Sequence, residues 1–137
     1  MTWLVDTNVL SELRKGERCV PAVRTWFDEA APDVLFTSVL VIGEIRRGIE
    51  LIRRRDVPSA LALEHWLERL VVSYTDRILP VDARIADRWG ALNVPHPVPT
   101  IDGLLAATAL VHDLTLVTRD TDAVRGTGVR LLDPFAR

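Results

Sequence analysis

Four acidic residues, Asp6, Glu44, Asp102 and Asp120, stand where folding alone gives a carboxylate little to do. Asp6 ends the apolar run Trp3-Leu4-Val5 and Asp120 follows Leu116-Val117-Thr118, so each comes just past a short buried strand. Glu44 has Leu40, Val41, Gly48 and Leu51 at helical spacing, and Asp102 has Leu105 and Ala106, which sets both on or beside helix faces that pack inward. An ionised carboxylate taken out of water is costly unless something positive meets it. A bound cation would answer all four at once.

The ligand types point to the ion. A site made of carboxylates, with neither histidine nor cysteine, suits Mg²⁺ or Mn²⁺ rather than zinc or copper. The chain has no glycine-rich phosphate loop of either common kind, which argues against a nucleotide cofactor. An acidic Mg²⁺ site without such a loop serves phosphodiester chemistry, so the leading inference is a hydrolase acting on nucleic acid.

The elements that must position these acids alternate strand and helix. Strands are expected at Trp3–Asp6, Val34–Thr37, Ile78–Val81, Leu114–Thr118 and Val129–Leu132. Helices are expected at Asn8–Arg14, Ala22–Ala30, Val39–Arg54, Pro58–Val71, from a cap at Asp82 through Asn93, and at Thr100–His112. The cluster Pro95-His96-Pro97-Val98-Pro99 reads as a rigid turn that places the Asp102 helix. Apolar strands without alternation argue for a parallel sheet covered on both faces, in which ligands gather at the carboxyl ends of strands near the reversal of strand order. Asp120-Thr121-Asp122 reads as a turn after the fourth strand.

At 137 residues the chain fits a single domain, residues 1–137, large enough for one core. No apolar run approaches the roughly 18 residues that cross a bilayer, and the N-terminus lacks the pattern of a secretory signal, so a cytoplasmic location is expected. The single cysteine, Cys19, excludes an internal disulfide and agrees with a reducing compartment. Of seventeen basic residues only Lys15 is a lysine. Arginine favours phosphate or carboxylate partners through its planar fork, although a G- and C-rich genome gives the same bias and the net charge of −2 is not that of a dedicated nucleic-acid binder. Arg46, Arg47, Arg53, Arg54 and Arg55 read either as a solvated helix face or as a rail for RNA phosphates. Trp66 and Trp89 read as core or dimer-interface residues.

Taken in order, Leu4-Val5-Asp6-Thr7-Asn8-Val9-Leu10-Ser11-Glu12-Leu13, Thr37-Ser38 with Gly43-Glu44-Ile45, Ile78-Leu79-Pro80-Val81-Asp82, Asp102-Gly103-Leu104-Leu105-Ala106 and Leu116-Val117-Thr118-Arg119-Asp120 span the chain from end to end. The set resembles the PIN-domain ribonucleases, and within them the FitB-like VapC-type toxins of toxin–antitoxin pairs. The resemblance implies a three-layer α/β/α fold with a five-stranded parallel sheet, Mg²⁺- or Mn²⁺-dependent endoribonuclease activity on RNA, homodimerisation, and inhibition by a small antitoxin in a hetero-oligomer. It carries the acid roles to Asp6, Glu44 and Asp102 and supporting polar roles to Thr7, Asn8, Thr37, Ser38 and Thr118. The fourth acid departs from the family spacing, since Ala123 stands where one version of the motif has its acid; Asp120 is the better match and Asp122 a substitute or outer partner. Two other classes stay open: a phosphotransfer protein with a nucleophilic aspartate, for which Lys15 is badly placed, and a non-catalytic scaffold of the same fold.

Overall fold

Five short runs rich in leucine, valine and isoleucine build the sheet, and the residues that follow most of them are helix starters. In the computed structural model, which describes residues 1–136, the strands are β1 (Trp3–Val5), β2 (Leu35–Ser38), β3 (Ile78–Leu79), β4 (Thr115–Val117) and β5 (Leu131–Leu132). All pair in parallel, in the order β3-β2-β1-β4-β5. Trp3 is aligned with Leu35 on one side and Thr115 on the other, which makes β1 the central strand. Leu4, Val5, Leu116 and Val117 are fully buried, as expected for strands covered on both faces.

Seven helices connect them: α1 (Thr7–Leu13), α2 (Pro21–Glu29), α3 (Val39–Arg53), α4 (Val57–Ser73), α5 (Ala83–Leu92), α6 (Thr100–Val111) and α7 (Thr121–Val124). Their starts are chemically marked. Ser38 accepts from the Leu40 N–H, Asp56 from that of Ser59 and Asp82 from that of Ile85, while Pro21, which has no N–H, opens α2 at a position where none is needed. Right-handed crossovers put α1 to α4 on one face and α5 to α7 on the other, and the packing agrees: α3 lies on α4, α1 on α2 and α3, and α5 and α7 on α6. The result is a three-layer α/β/α sandwich. No helix of the described residues is long and apolar enough to cross a membrane.

Two differences from the sequence expectation have physical causes. The third strand stops at Leu79 rather than Val81, because Pro80 has no N–H to continue a ladder. Residues 121–124 form one helical turn rather than an open turn, a length at which no periodicity can be read.

Candidate metal centre

Strand order reverses between β1 and β4, and this is where the acids meet. The chain keeps the two strands joined one step past β1, with the Asp6 N–H donating to the Val117 carbonyl at 3.0 Å. Asp6 then turns into α1, and its Oδ1 accepts from the Thr7 N–H at 2.6 Å. Its Oδ2 accepts from the Thr118 hydroxyl at 2.7 Å. Thr118 Oγ1 in turn accepts from the Asp120 N–H at 3.0 Å and from Asn8 Nδ2 at 3.3 Å. Asn8 Nδ2 also reaches Asp120 Oδ2 at 3.2 Å, and Asn8 Oδ1 accepts from the Arg119 N–H at 3.2 Å. Thus Asn8 and Thr118 tie the start of α1 to the segment after β4, fixing both aspartates.

Asp102 arrives from the opposite layer, in the first turn of α6. Asn93, just past α5, donates to the Trp89 carbonyl at 2.7 Å and accepts from the Val98 N–H at 3.0 Å, which folds the proline segment back on α5. Trp89 then lies against Gly103, where an added Cβ would come 3.1 Å from the indole. A side chain there would press on the Trp89 indole by a few tenths of an ångström, directly beside Asp102. Trp89 and Asn93 as positioning residues were not foreseen from sequence; the available signal was the glycine directly after the acid.

The carboxylate oxygens of Asp6, Asp102 and Asp120 lie within 4.8 Å of one another. Asp6 is only 5% exposed. Burial pushes its carboxyl up from the ordinary 3.8 to about 6, opposed by the hydrogen bonds from Thr118 and Thr7 and reinforced by the charges of Glu44 and Asp102. Asp102 is raised too, by burial first and then by Asp120 and Glu44. Three carboxylates therefore share a crevice in which, among the described residues, no ammonium or guanidinium group pairs with them.

The other residues singled out from the sequence fall at different distances. Glu44 is exposed on the margin of the α3 face that buries Val41, Ile45 and Ile49, and its Oε1 accepts from the Thr7 hydroxyl at 2.7 Å. It borders the trio rather than sharing its oxygen cluster. Asp122 is turned away: its Oδ1 accepts from Arg125 at 2.8 Å, and its side chain is 94% exposed. Thr37 is fully buried and donates to the Val5 carbonyl at 3.0 Å, pinning β2 to the end of β1, while Ser38 caps α3. Neither touches an acid. Of the arginines on and just after α3, Arg46 and Arg53 are engaged by Glu50 and Glu64, whereas Arg47, Arg54 and Arg55 are exposed.

Comparison with known proteins agrees with this geometry. Residues 3–128 match the family model described as PIN domain. The chain is 30% identical to toxin FitB of Neisseria gonorrhoeae, covering 96% of this chain and 97% of that one. It is 29% identical to a VapC ribonuclease of Sinorhizobium fredii, covering 96% of each. Among solved structures, that of FitAcB from Neisseria gonorrhoeae superposes with a TM-score of 0.91 at 27% identity, over 99% of this chain and 100% of that one.

Proposed function

Because this chain belongs to the PIN-domain family, we propose that it is a metal-dependent endoribonuclease and the toxin of a toxin–antitoxin pair. The convergence of Asp6, Asp102 and Asp120 within 4.8 Å, at the reversal of strand order, carries this reading. The donor set fits a hard divalent cation: it is all oxygen, and the Asp6 carboxyl is raised by burial first and then by the charges of Glu44 and Asp102, both of which a bound cation would offset. Asp6, Asp102 and Asp120 would hold Mg²⁺, or Mn²⁺ in its place. When bound, such an ion supplies positive charge to a phosphodiester and lowers the pKa of water beside it.

The chain's own residues supply the rest. Thr7 and Thr118 hold the two Asp6 oxygens in fixed directions, and Asn8 does the same for Asp120. Glu44 keeps one oxygen on Thr7 and leaves the other open to solvent, where it can accept a proton from an attacking water or complete the metal site. Asp122, committed to Arg125, acts at most through the outer shell. The protein acts as a homodimer and is silenced by a small antitoxin whose arginine or lysine enters the acidic crevice in the cation's place. The naming of the FitB relative as a toxin, and the superposition on the FitAcB structure, motivate this partner.

The test is cleavage of RNA by the purified chain with and without Mg²⁺ or Mn²⁺. Cutting that needs the metal, stops with chelator and stops again on adding the small protein encoded beside the gene is expected. RNA left intact under all metal conditions would remove the ribonuclease assignment.

A further inference from the structure

Arg119 carries the one side chain of the stretch Thr118-Arg119-Asp120 that the acidic centre does not use. Thr118 before it holds Asp6 and Asp120 after it belongs to the trio, whereas Arg119 itself is exposed. Its main chain is fixed all the same, because its N–H donates at 3.2 Å to Oδ1 of Asn8, whose Nδ2 reaches Asp120. The guanidinium thus stands on the frame that sets the acids.

The side chain also has a support of its own. Its guanidinium carbon lies 4.0 Å from the centroid of the Phe135 ring, nearer than Arg77 to Tyr74 at 4.8 Å or Arg24 to Phe27 at 5.9 Å. Phe135 belongs to the last turn, Pro134–Ala136, which packs on α2; Pro134 is buried, and the Phe135 N–H donates to Asp133 Oδ1 at 2.9 Å. A guanidinium laid on an aromatic face keeps its N–H edge, the edge that grips a phosphate or carboxylate through two hydrogen bonds. Among the described residues nothing takes that edge: Arg119 makes no ion pair, and its only hydrogen bond is the main-chain one to Asn8. Its charge is not absorbed by the centre either, since burial and neighbouring acids raise Asp6 and Asp102 with no arginine among the groups acting on them. Glu12 feels Arg119 only after the Val20 N–H and Lys15, which already hold its carboxyl low.

An RNA strand carries an anion at every nucleotide, so a strand that seats one phosphate at Asp120 presents another to the residue beside it. The acids repel that second phosphate unless a cation meets it. We infer that Arg119, steadied on Phe135, grips the phosphate adjacent to the one being cut and so sets how the RNA lies across the centre. This rests on the ribonuclease reading and adds a substrate contact separate from the metal ligands.

The test is steady-state cleavage, with Mg²⁺, of an oligoribonucleotide spanning a site at which the parent chain cuts total cellular RNA. Arg119→Gln should raise KM about tenfold, as loss of one charge-assisted pair does, and change kcat by less than about threefold. It should also flatten the dependence of log KM on log salt by one phosphate's share, roughly 0.7 for a single strand. Arg119→Lys, which keeps the charge without the fork, should restore the salt slope and only part of the KM. Phe135→Leu, which removes the platform, should raise KM with the slope kept. The melting temperatures of both Arg119 variants should stay within about 3 °C of the parent. A lowered melting temperature with an unchanged salt slope would make the stack a structural clamp and overturn the inference. So would a loss confined to kcat, or an unchanged KM with weaker binding of the small protein encoded beside the gene, since the acceptor would then be a protein carboxylate. If the parent chain cuts no RNA with Mg²⁺ or Mn²⁺, the ribonuclease reading falls and this one with it; if the parent cuts and Arg119→Gln cuts alike, only this one does.

Discussion

Two groups of four ionisable side chains both draw on α3 and are built on opposite rules. Between α3 and α4, Arg46 contacts Glu64 at 2.5 Å and Glu50 at 3.1 Å, while Arg53 contacts Glu50 at 3.0 Å and Glu64 at 2.9 Å. Each charge has a partner. Arg53 first, then Arg46, holds Glu50 below the usual carboxylate range, and Arg46 does the same for Glu64. In the crevice, Asp6, Glu44 and Asp120 have hydroxyl, amide or backbone donors, but among the described residues no cation pairs with them or with Asp102, and Asp6 and Asp102 are raised instead. The first group is complete as it stands. The second is complete only with something added, and that separates a structural cluster from a functional one more sharply than the number of acids in either.

The largest effect should come from removing a member of the incomplete group. Asp6→Asn, Asp102→Asn or Glu44→Gln is expected to cut RNA cleavage by about a hundredfold or more, measured as kcat/KM with Mg²⁺, while circular dichroism and melting stay native-like. Near-normal cutting by any of the three takes that residue out of the centre. Next, Asp120→Asn should approach the same loss, whereas Asp122→Asn, already paired with Arg125, should fall no more than about tenfold. A titration of rate against Mg²⁺ for both variants decides the point, and a worse defect at Asp122 would show that the fourth acid follows the other spacing.

The contrast also has a pH signature. With its carboxyl at about 6 in the folded chain against 3.8 ordinarily, Asp6 binds a proton more tightly folded than unfolded between those values. In chelator, stability should therefore fall as pH rises from about 4 to about 6 and level off above, by up to about 3 kcal/mol at 1.36 kcal/mol per pKa unit. Asp6→Asn should remove this fall. Millimolar Mg²⁺ or Mn²⁺ at pH 7 should raise the melting temperature, since about 2.7 kcal/mol accrues at a hundred times Kd. A melting curve indifferent to metal would count against a preformed site. The smallest effect belongs to the complete group: Glu64→Gln should lower the melting temperature by less than about 3 °C, less still at high salt, and leave cleavage alone.

How far this was readable from sequence depends on what each residue needs. Asp6, Asp102 and Asp120 were legible because strand ends and a helix start are local features, and a parallel sheet brings carboxyl ends to one edge. The parallel sheet was legible from its apolar, non-alternating strands, whereas their order rests on which strands pair across the chain. Glu44's place beside the trio was not, because it turns on a hydroxyl from Thr7 on another helix. Nor could Arg46 and Arg53 be separated from Arg47, Arg54 and Arg55, since their pairing depends on the rotation of α4 that presents Glu64.

The centre is also a record of chain order. Asp6 has its Oδ2 held by Thr118, 112 residues later, and its strand is flanked on one side by β4. Contacts of such long sequence separation form late and slowly. A polypeptide still short of residue 115 lacks the strand beside β1, the hydroxyl that orients Asp6 and Asp120 itself, so the carboxylates come together in one crevice only as folding nears its end.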